Sequence, residues 1–250
     1  MLLIHAGAED AEEWRPVAER LRDFTTVTYD RRGTLRSGRD NWPGEGSAQH
    51  ADDAAGLLRG LGLDDGLVFG GSSGGNIALQ LALRHPGLVR RALVWEPGHL
   101  RQVPDGQEVY RRMRNAGFEH LAAHPDDWAG AYAAVLRSLA LMPDQPPGAP
   151  AAATHARSWY DEREEGNAEA LMLDDIPILT GELIDEADLA SAAVDIRFAF
   201  GTRTAPIFRE VTLHLAAVRD TTPDIVRKAG HVILYQPDAA AAYIRGQSGA

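Results

Sequence analysis

One stretch limits the possible folds more than any other: Leu67-Val68-Phe69-Gly70-Gly71-Ser72-Ser73-Gly74-Gly75-Asn76-Ile77-Ala78-Leu79. A short apolar run reads as a buried strand and enters a glycine-rich bend directly. An apolar helical pattern follows from Ile77 to Leu83 and stops at His85-Pro86. A strand that turns sharply into a helix belongs to a parallel α/β architecture. The rest of the first hundred residues agrees. Leu2–Ile4, Thr25–Tyr29 and Ala92–Trp95 read as strands, and helical spacing appears at Trp14, Val17, Ala18, Leu21 and over 51–61. This alternation predicts a mostly parallel sheet with helices on both faces.

From Gly98 to about Pro177 strand signals vanish. Helical patterns there carry Tyr110, Phe118, Trp128, Tyr132, Trp159 and Tyr160, and the stretch Met142–Ala153 holds Pro143, Pro146, Pro147 and Pro150. We read 98–177 as a helical insertion within one domain spanning 1–250. Alternation then resumes. A helix is expected near Glu186–Ala193, a strand at Ile196–Phe200, a helix at Phe208–Val218, a short strand at Ile225-Val226 and a last helix at Pro237–Ile244.

The bend carries chemistry as well as shape. G-x-S-x-G between strand and helix puts a serine on a strained turn with its hydroxyl exposed. The helix start offers free N–H groups to developing negative charge. Two registers fit. Gly70-x-Ser72-x-Gly74 makes Ser72 the nucleophile, and Gly71-x-Ser73-x-Gly75 makes it Ser73. A strand ending at Phe69 favours Ser72, which leaves the Ser73 N–H as an oxyanion donor.

The segment resembles the α/β-hydrolase family, in its serine hydrolase and esterase branch. Leu2-Leu3-Ile4-His5-Ala6-Gly7 is similar to that family's strand and oxyanion loop, with Ala6 where glycine is usual. Tyr29-Asp30-Arg31-Arg32-Gly33 with Arg36-Ser37 resembles the loop after the next strand, and Ala229-Gly230-His231 the histidine loop. The likeness covers about 1–100 and 176–245. It implies an α/β-hydrolase fold with a helical cap, and Leu2–Ile4 would be the family's third strand, without the hairpin that usually precedes it. It also implies an oxyanion hole from the N–H groups of Ser73 and Gly7, or of Ala8 if the loop is shifted.

A serine needs a base, and His231 follows the last strand signal in the family's order. The other histidines are assigned elsewhere. His50, His85, His120, His124, His155 and His214 are expected at the surface, His5 as a shaper of its loop, and His99, just after Glu96, as a candidate to face substrate. The acid is displaced. Most relatives carry it after the strand read here as Ile196–Phe200, where this chain has Thr204. Glu96 follows the preceding strand, a position that certain haloalkane dehalogenases use, so Glu96 is the expected acid. Asp185, Glu186 and Asp188 are the other candidates. Asp30, Arg32 and Ser37 are expected to be structural. Arg111, Arg112 and Arg114, like the run Asp161–Glu165, read as solvated helix faces.

The implied function is hydrolysis of a small ester, thioester or lactone through an acyl-enzyme. Alternatives are a non-hydrolytic reaction on the same scaffold (lyase, cyclase or cofactor-free oxygenase) or a catalytically weak ligand-binding protein. Composition narrows the partners. A net charge of −11 disfavours nucleic acid and anionic membranes. No apolar stretch approaches a membrane span, and Met1–His5 lacks the basic start of a signal peptide. There is no cysteine, which excludes thiolate metal sites, and neither a metal-ligand spacing nor a nucleotide loop occurs, so no cofactor or metal is expected. The expected partner is a small-molecule substrate and the expected compartment the cytoplasm. Lys228 is the single lysine among 25 basic residues, a bias typical of GC-rich bacterial genomes.

Overall fold

The computed structural model describes residues 1–139 and 159–248. The proline-rich stretch Met142–Ala153 and His155 lie outside them. Six strands form one parallel sheet: β1 (Leu2–Ile4), β2 (Val27–Thr28), β3 (Gly66–Gly71), β4 (Val89–Trp95), β5 (Asp195–Gly201) and β6 (Asp224–Val226). Their spatial order is β2-β1-β3-β4-β5-β6. The chain steps outward from β1 to β2 and then returns to β3 on the other side of β1. That reversal opens a crevice beyond the carboxyl ends of β1 and β3, where open α/β sheets bind ligands.

Strand side chains alternate between two cores, as the period of two requires. Leu2, Ile4, Val68, Ala92, Val94, Ile196 and Phe198 join one cluster. Leu3, Phe69, Leu93, Trp95 and Ala199 join the other. The second face is covered by α1 (Arg15–Ala18), preceded by Trp14 on a 3₁₀ turn, and by the C-terminal helix α10 (Pro237–Gln247). The first face is covered by α2 (Ser47–Gly60) and α3 (Ser72–Arg84), and beyond the insertion by α8 (Glu186–Ser191) and α9 (Pro206–Val218).

Between β4 and β5 the described residues form no strand. They build α4 (Pro104–Ala123), α5 (Trp128–Ser138), α6 (Trp159–Gly166) and α7 (Ala168–Ala170), then a π-helical stretch Leu171–Leu179. Pro177 sits inside that stretch and has no N–H to donate. Thr180 N–H reaches back five residues to the Asp175 carbonyl at 2.7 Å. The wider turn swings Asp175 and Ile176 into the interior, where both are buried.

Strand limits differ from the sequence reading in one place that matters. β3 continues through Gly70 and Gly71 and pairs them with Val94 and Trp95 of β4. Glycine weakens an isolated strand, but at Gly70 the close approach of the Gly74 carbonyl requires it. The bend therefore begins at Ser72, without an intervening loop.

Candidate active site

Ser72 opens α3 with φ +50°, the left-handed region that side chains other than glycine rarely adopt. The glycines two before and two after it make the bend possible. A Cβ at Gly70 would lie 2.1 Å from the Gly74 carbonyl oxygen, and one at Gly74 would lie 2.5 Å from the Ile4 carbonyl oxygen. Ser72 is half-buried. It lines a cavity of about 130 Å³ together with Gly7, Ser73, Trp95, Phe208 and His231.

The imidazole of His231 is held from three sides. Its Nδ1 donates to Glu96 Oε2 at 2.8 Å. Its ring stacks on Phe208, with centroids 3.7 Å apart and planes at 19°. Its carbonyl accepts the Trp95 indole N–H at 2.8 Å. Nε2 makes no hydrogen bond among the described residues, and neither does Ser72 Oγ. Both groups face the one cavity, a loose arrangement common before substrate closes such a site.

Glu96 follows β4 directly and is fully buried. It too has a left-handed backbone, φ +42°. Its carboxylate accepts three donors: His231 Nδ1–H, the Gly201 N–H at 2.8 Å and the Thr204 hydroxyl. Thr204 therefore shares Oε2 with His231 and props the carboxylate from the neighbouring strand end. Asp185 caps α8 through Ala187 and Asp188, and Glu186 accepts from Gln102 and His214, so these acids are engaged away from His231.

Two residues that line the cavity from opposite loops, Ser73 and Gly7, carry the candidate oxyanion amides. The Ser73 N–H lies in the first turn of α3, where no intrahelical carbonyl can accept it. The Gly7 N–H has no hydrogen-bond partner among the described residues. The β1 loop that carries it is fixed by its neighbours. Ala6 N–H donates to Glu9 Oε2 at 2.8 Å, and the Arg31 N–H donates to His5 Nε2 at 3.0 Å. His5 thus shapes the loop from below.

A family model described as alpha/beta hydrolase fold matches residues 1–145, more than half the chain. The chain belongs to the α/β-hydrolase family. Among proteins similar to it, YraK of Bacillus subtilis (strain 168), described as an uncharacterized hydrolase, is 41% identical over 111 residues, covering 44% of this chain and 41% of YraK. RutD of Serratia proteamaculans (strain 568), provisionally assigned as a carbamate hydrolase, is 34% identical over 151 residues, covering 54% and 55%. The matches thus span about half the length of these relatives or less. The crystal structure of carboxylesterase CesB from Bacillus subtilis superposes with TM-score 0.69 at 19% identity, covering 100% of this chain and 84% of that one, a likeness of fold.

This α/β-hydrolase carries a cap contact that sequence reasoning missed. Asp175, from the π-helical stretch, is 2% exposed and accepts the Ser73 hydroxyl at 2.5 Å. Arg31 Nη2 donates to both its oxygens, at 2.9 and 3.0 Å, and to the Ala6 carbonyl at 3.1 Å. Burial works against the Arg31 charge, but Asp175 and Asp174 outweigh it and keep the guanidinium ionised. The pair ties the cap to both loops that bear the candidate oxyanion donors.

Other expectations need correcting. His50 is buried, 3% exposed, because Asp174 from the cap accepts its Nε2–H at 2.7 Å. His99 is fully buried, does not line the cavity, and is pushed down to about 4 by burial. Glu164 is no solvated helix residue. It is 7% exposed and accepts the hydroxyls of Tyr132 and Tyr235. Asp30, Arg32 and Ser37 need no correction: as expected they are engaged structurally, Asp30 with Arg36 at 2.7 Å and the Ala11 N–H at 3.1 Å, Arg32 with Asp53, and the Ser37 hydroxyl donating to the Asp30 carbonyl. Among the described residues, no His, Asp and Glu side chains cluster in a metal-binding arrangement, and no helix is long and apolar enough to cross a membrane.

Proposed function

We propose that this chain is a serine hydrolase that cleaves a small ester, thioester or lactone through an acyl-enzyme. One observation carries the reading. A serine in strained left-handed geometry at a helix start shares a cavity with a histidine whose far nitrogen is anchored on a buried carboxylate. Ser72 Oγ attacks the substrate carbonyl and His231 Nε2 takes its proton. Glu96 fixes the ring tautomer through Nδ1–H and stabilises the imidazolium. The N–H groups of Ser73 and Gly7 receive the oxyanion, a contribution of about 10²–10³ in turnover per donor in such sites. His231 then protonates the leaving group, and a water that it activates releases the acyl group.

The relatives named as hydrolases and the fold likeness to a carboxylesterase support the reading. The cavity volume suits a small acyl group. The proposal includes the cytoplasm as its compartment, where a chain without cysteine forgoes no disulfide. A fluorophosphonate probe should label the wild type at Ser72 and not Ser72→Ala, and wild type should turn over a 4-nitrophenyl ester. Absence of labelling in folded protein refutes the serine mechanism.

A further inference from the structure

The cavity beside Ser72 is acidic in an unusual way. Glu9, Glu164 and Asp175 line it with Ser72 and His231, and among the described residues no lysine or arginine does. Asp175 is paired with Arg31 behind the lining, whereas neither Glu9 nor Glu164 has an ion-pair partner among the described residues. Glu164 is satisfied by two tyrosine hydroxyls. Glu9 Oε2 takes the Ala6 N–H, while its Oε1 has no partner and is not sealed from the cavity. Glu13 stands behind them. It is wholly buried, neither of its oxygens has a hydrogen-bond partner among the described residues, and burial, then Glu9 and Glu164, oppose its ionisation.

A buried carboxyl without a counter-charge is unfavourable, and three in one cluster compound the problem. Arg31 and Arg163 act on Glu9 and Glu13 only from a distance, being paired with Asp175 and Asp10, so the cluster lacks a direct counter-charge. A positive group entering the cavity would supply it. The cavity also presents the rings of Trp14, Trp95, Tyr132 and Phe208, and aromatic faces attract ammonium groups. We infer that the cavity selects substrates with a cationic ammonium group on the acyl side, received by Glu9 with Glu164 beside it. Burial pushes Glu9 up to about 8, and a cation against it would restore its charge. An anionic acyl chain would meet no basic side chain among the described residues that line the cavity. The inference rests on the ester-hydrolase reading for the reaction, but not for the binding preference.

Two isosteric substrates test it: the 4-nitrophenyl esters of 4-(trimethylammonio)butyrate and 5,5-dimethylhexanoate, which differ by one quaternary nitrogen in place of carbon. The expected kcat/KM ratio is tenfold or more in favour of the cation in wild type. It falls to near one in Glu9→Gln, which keeps an acceptor for the Ala6 N–H, and in Glu164→Gln. Ratios within one protein cancel any general loss of activity. A second arm needs no catalysis. Benzylammonium should raise the melting temperature of Ser72→Ala protein more than benzyl alcohol does, and benzoate should not raise it. A wild-type ratio of one or below, or a ratio unchanged in whichever of the two variants folds, overturns the inference. If neither ester is cleaved and Ser72 takes no probe, the hydrolase reading fails. The ammonium preference then stands or falls on the melting shifts alone.

Discussion

Replacing Glu96 by glutamine probes the site most sharply, because its carboxylate receives three donors and offers none. Oε1 accepts the Gly201 N–H, and Oε2 accepts both His231 Nδ1–H and the Thr204 hydroxyl. Glutamine has one oxygen and one NH₂. The Gly201 N–H cannot reverse, so the oxygen must stay on it, and the NH₂ must take the Oε2 position. Thr204 adapts by rotating its hydroxyl. His231 adapts only by moving its proton from Nδ1 to Nε2, which turns a donor toward Ser72 and removes the base. In a Ser-His-Asp enzyme the equivalent loss of tautomer drops kcat by about 10⁴, or about 5.5 kcal/mol of transition-state stabilisation. The ring should stay in place, since Phe208 still stacks on it and Trp95 still holds its carbonyl. Glu96→Gln should therefore lose about four decades of kcat on a 4-nitrophenyl ester with little change in KM. Fluorophosphonate labelling should slow in parallel, with the near-ultraviolet circular dichroism unchanged. A folded variant that keeps a tenth or more of wild-type turnover refutes the assignment of Glu96.

Three further outcomes follow from the packing. Gly74→Ala, with its Cβ forced to 2.5 Å from the Ile4 carbonyl, should lose about 1–3 kcal/mol in urea denaturation, whereas Gly56→Ala, in open space on α2, should gain about 0.5–1 kcal/mol. Asp175→Ala strands the buried Arg31 guanidinium and should cost about 3–5 kcal/mol, much of it recovered in Arg31→Met/Asp175→Leu, as denaturation midpoints will show. Stability should fall as pH rises from 7 to 8. Burial raises Glu13 to about 10 and Glu9 to about 8, so the folded chain keeps protons that the unfolded chain has already released above about pH 5. Each such group contributes a slope of about −1.4 kcal/mol per pH unit until its folded pKa is reached, and Glu13→Gln should flatten the curve measured by urea titration.

The sequence disclosed what is local and hid what is distant. Glu96 follows a strand signal directly, Ser72 follows one through Gly70-Gly71, and His231 was singled out through the Ala229-Gly230-His231 resemblance, so all three were nominated from local sequence without knowledge of their partners. The parallel sheet was legible for the same reason, through runs such as Ala92–Trp95. Strand ends were less so, because Gly70 and Gly71 read as a loop until their packing against Gly74 and Trp95 is known. Asp175 had no local signal. Its partner Arg31 lies 144 residues away, and a π-helical stretch turns it inward. Glu164 sits in an acidic run that looks solvated, and only Tyr235, 71 residues on, and Tyr132 on α5 make it interior. His50 was misread similarly, since Asp174 reaches it from the cap.

Glu96 and Thr204 stand at adjoining strand ends beneath His231. β4 and β5 are paired neighbours, Trp95 opposite Ala199, so the residues just past their ends emerge side by side beneath the histidine loop. Thr204 and His231 donate to the same oxygen of Glu96. A carboxylate at either strand end could then reach the imidazole, and the vacated position need only supply a donor. A threonine does so while adding no second negative charge to a buried site, where two close carboxylates could not both ionise. The longer glutamate arm and the left-handed backbone at position 96 bring the carboxylate to the ring from β4. In this chain the result is a buried, fully hydrogen-bonded carboxylate under His231, delivered from the end of β4 while the end of β5 supplies a donor.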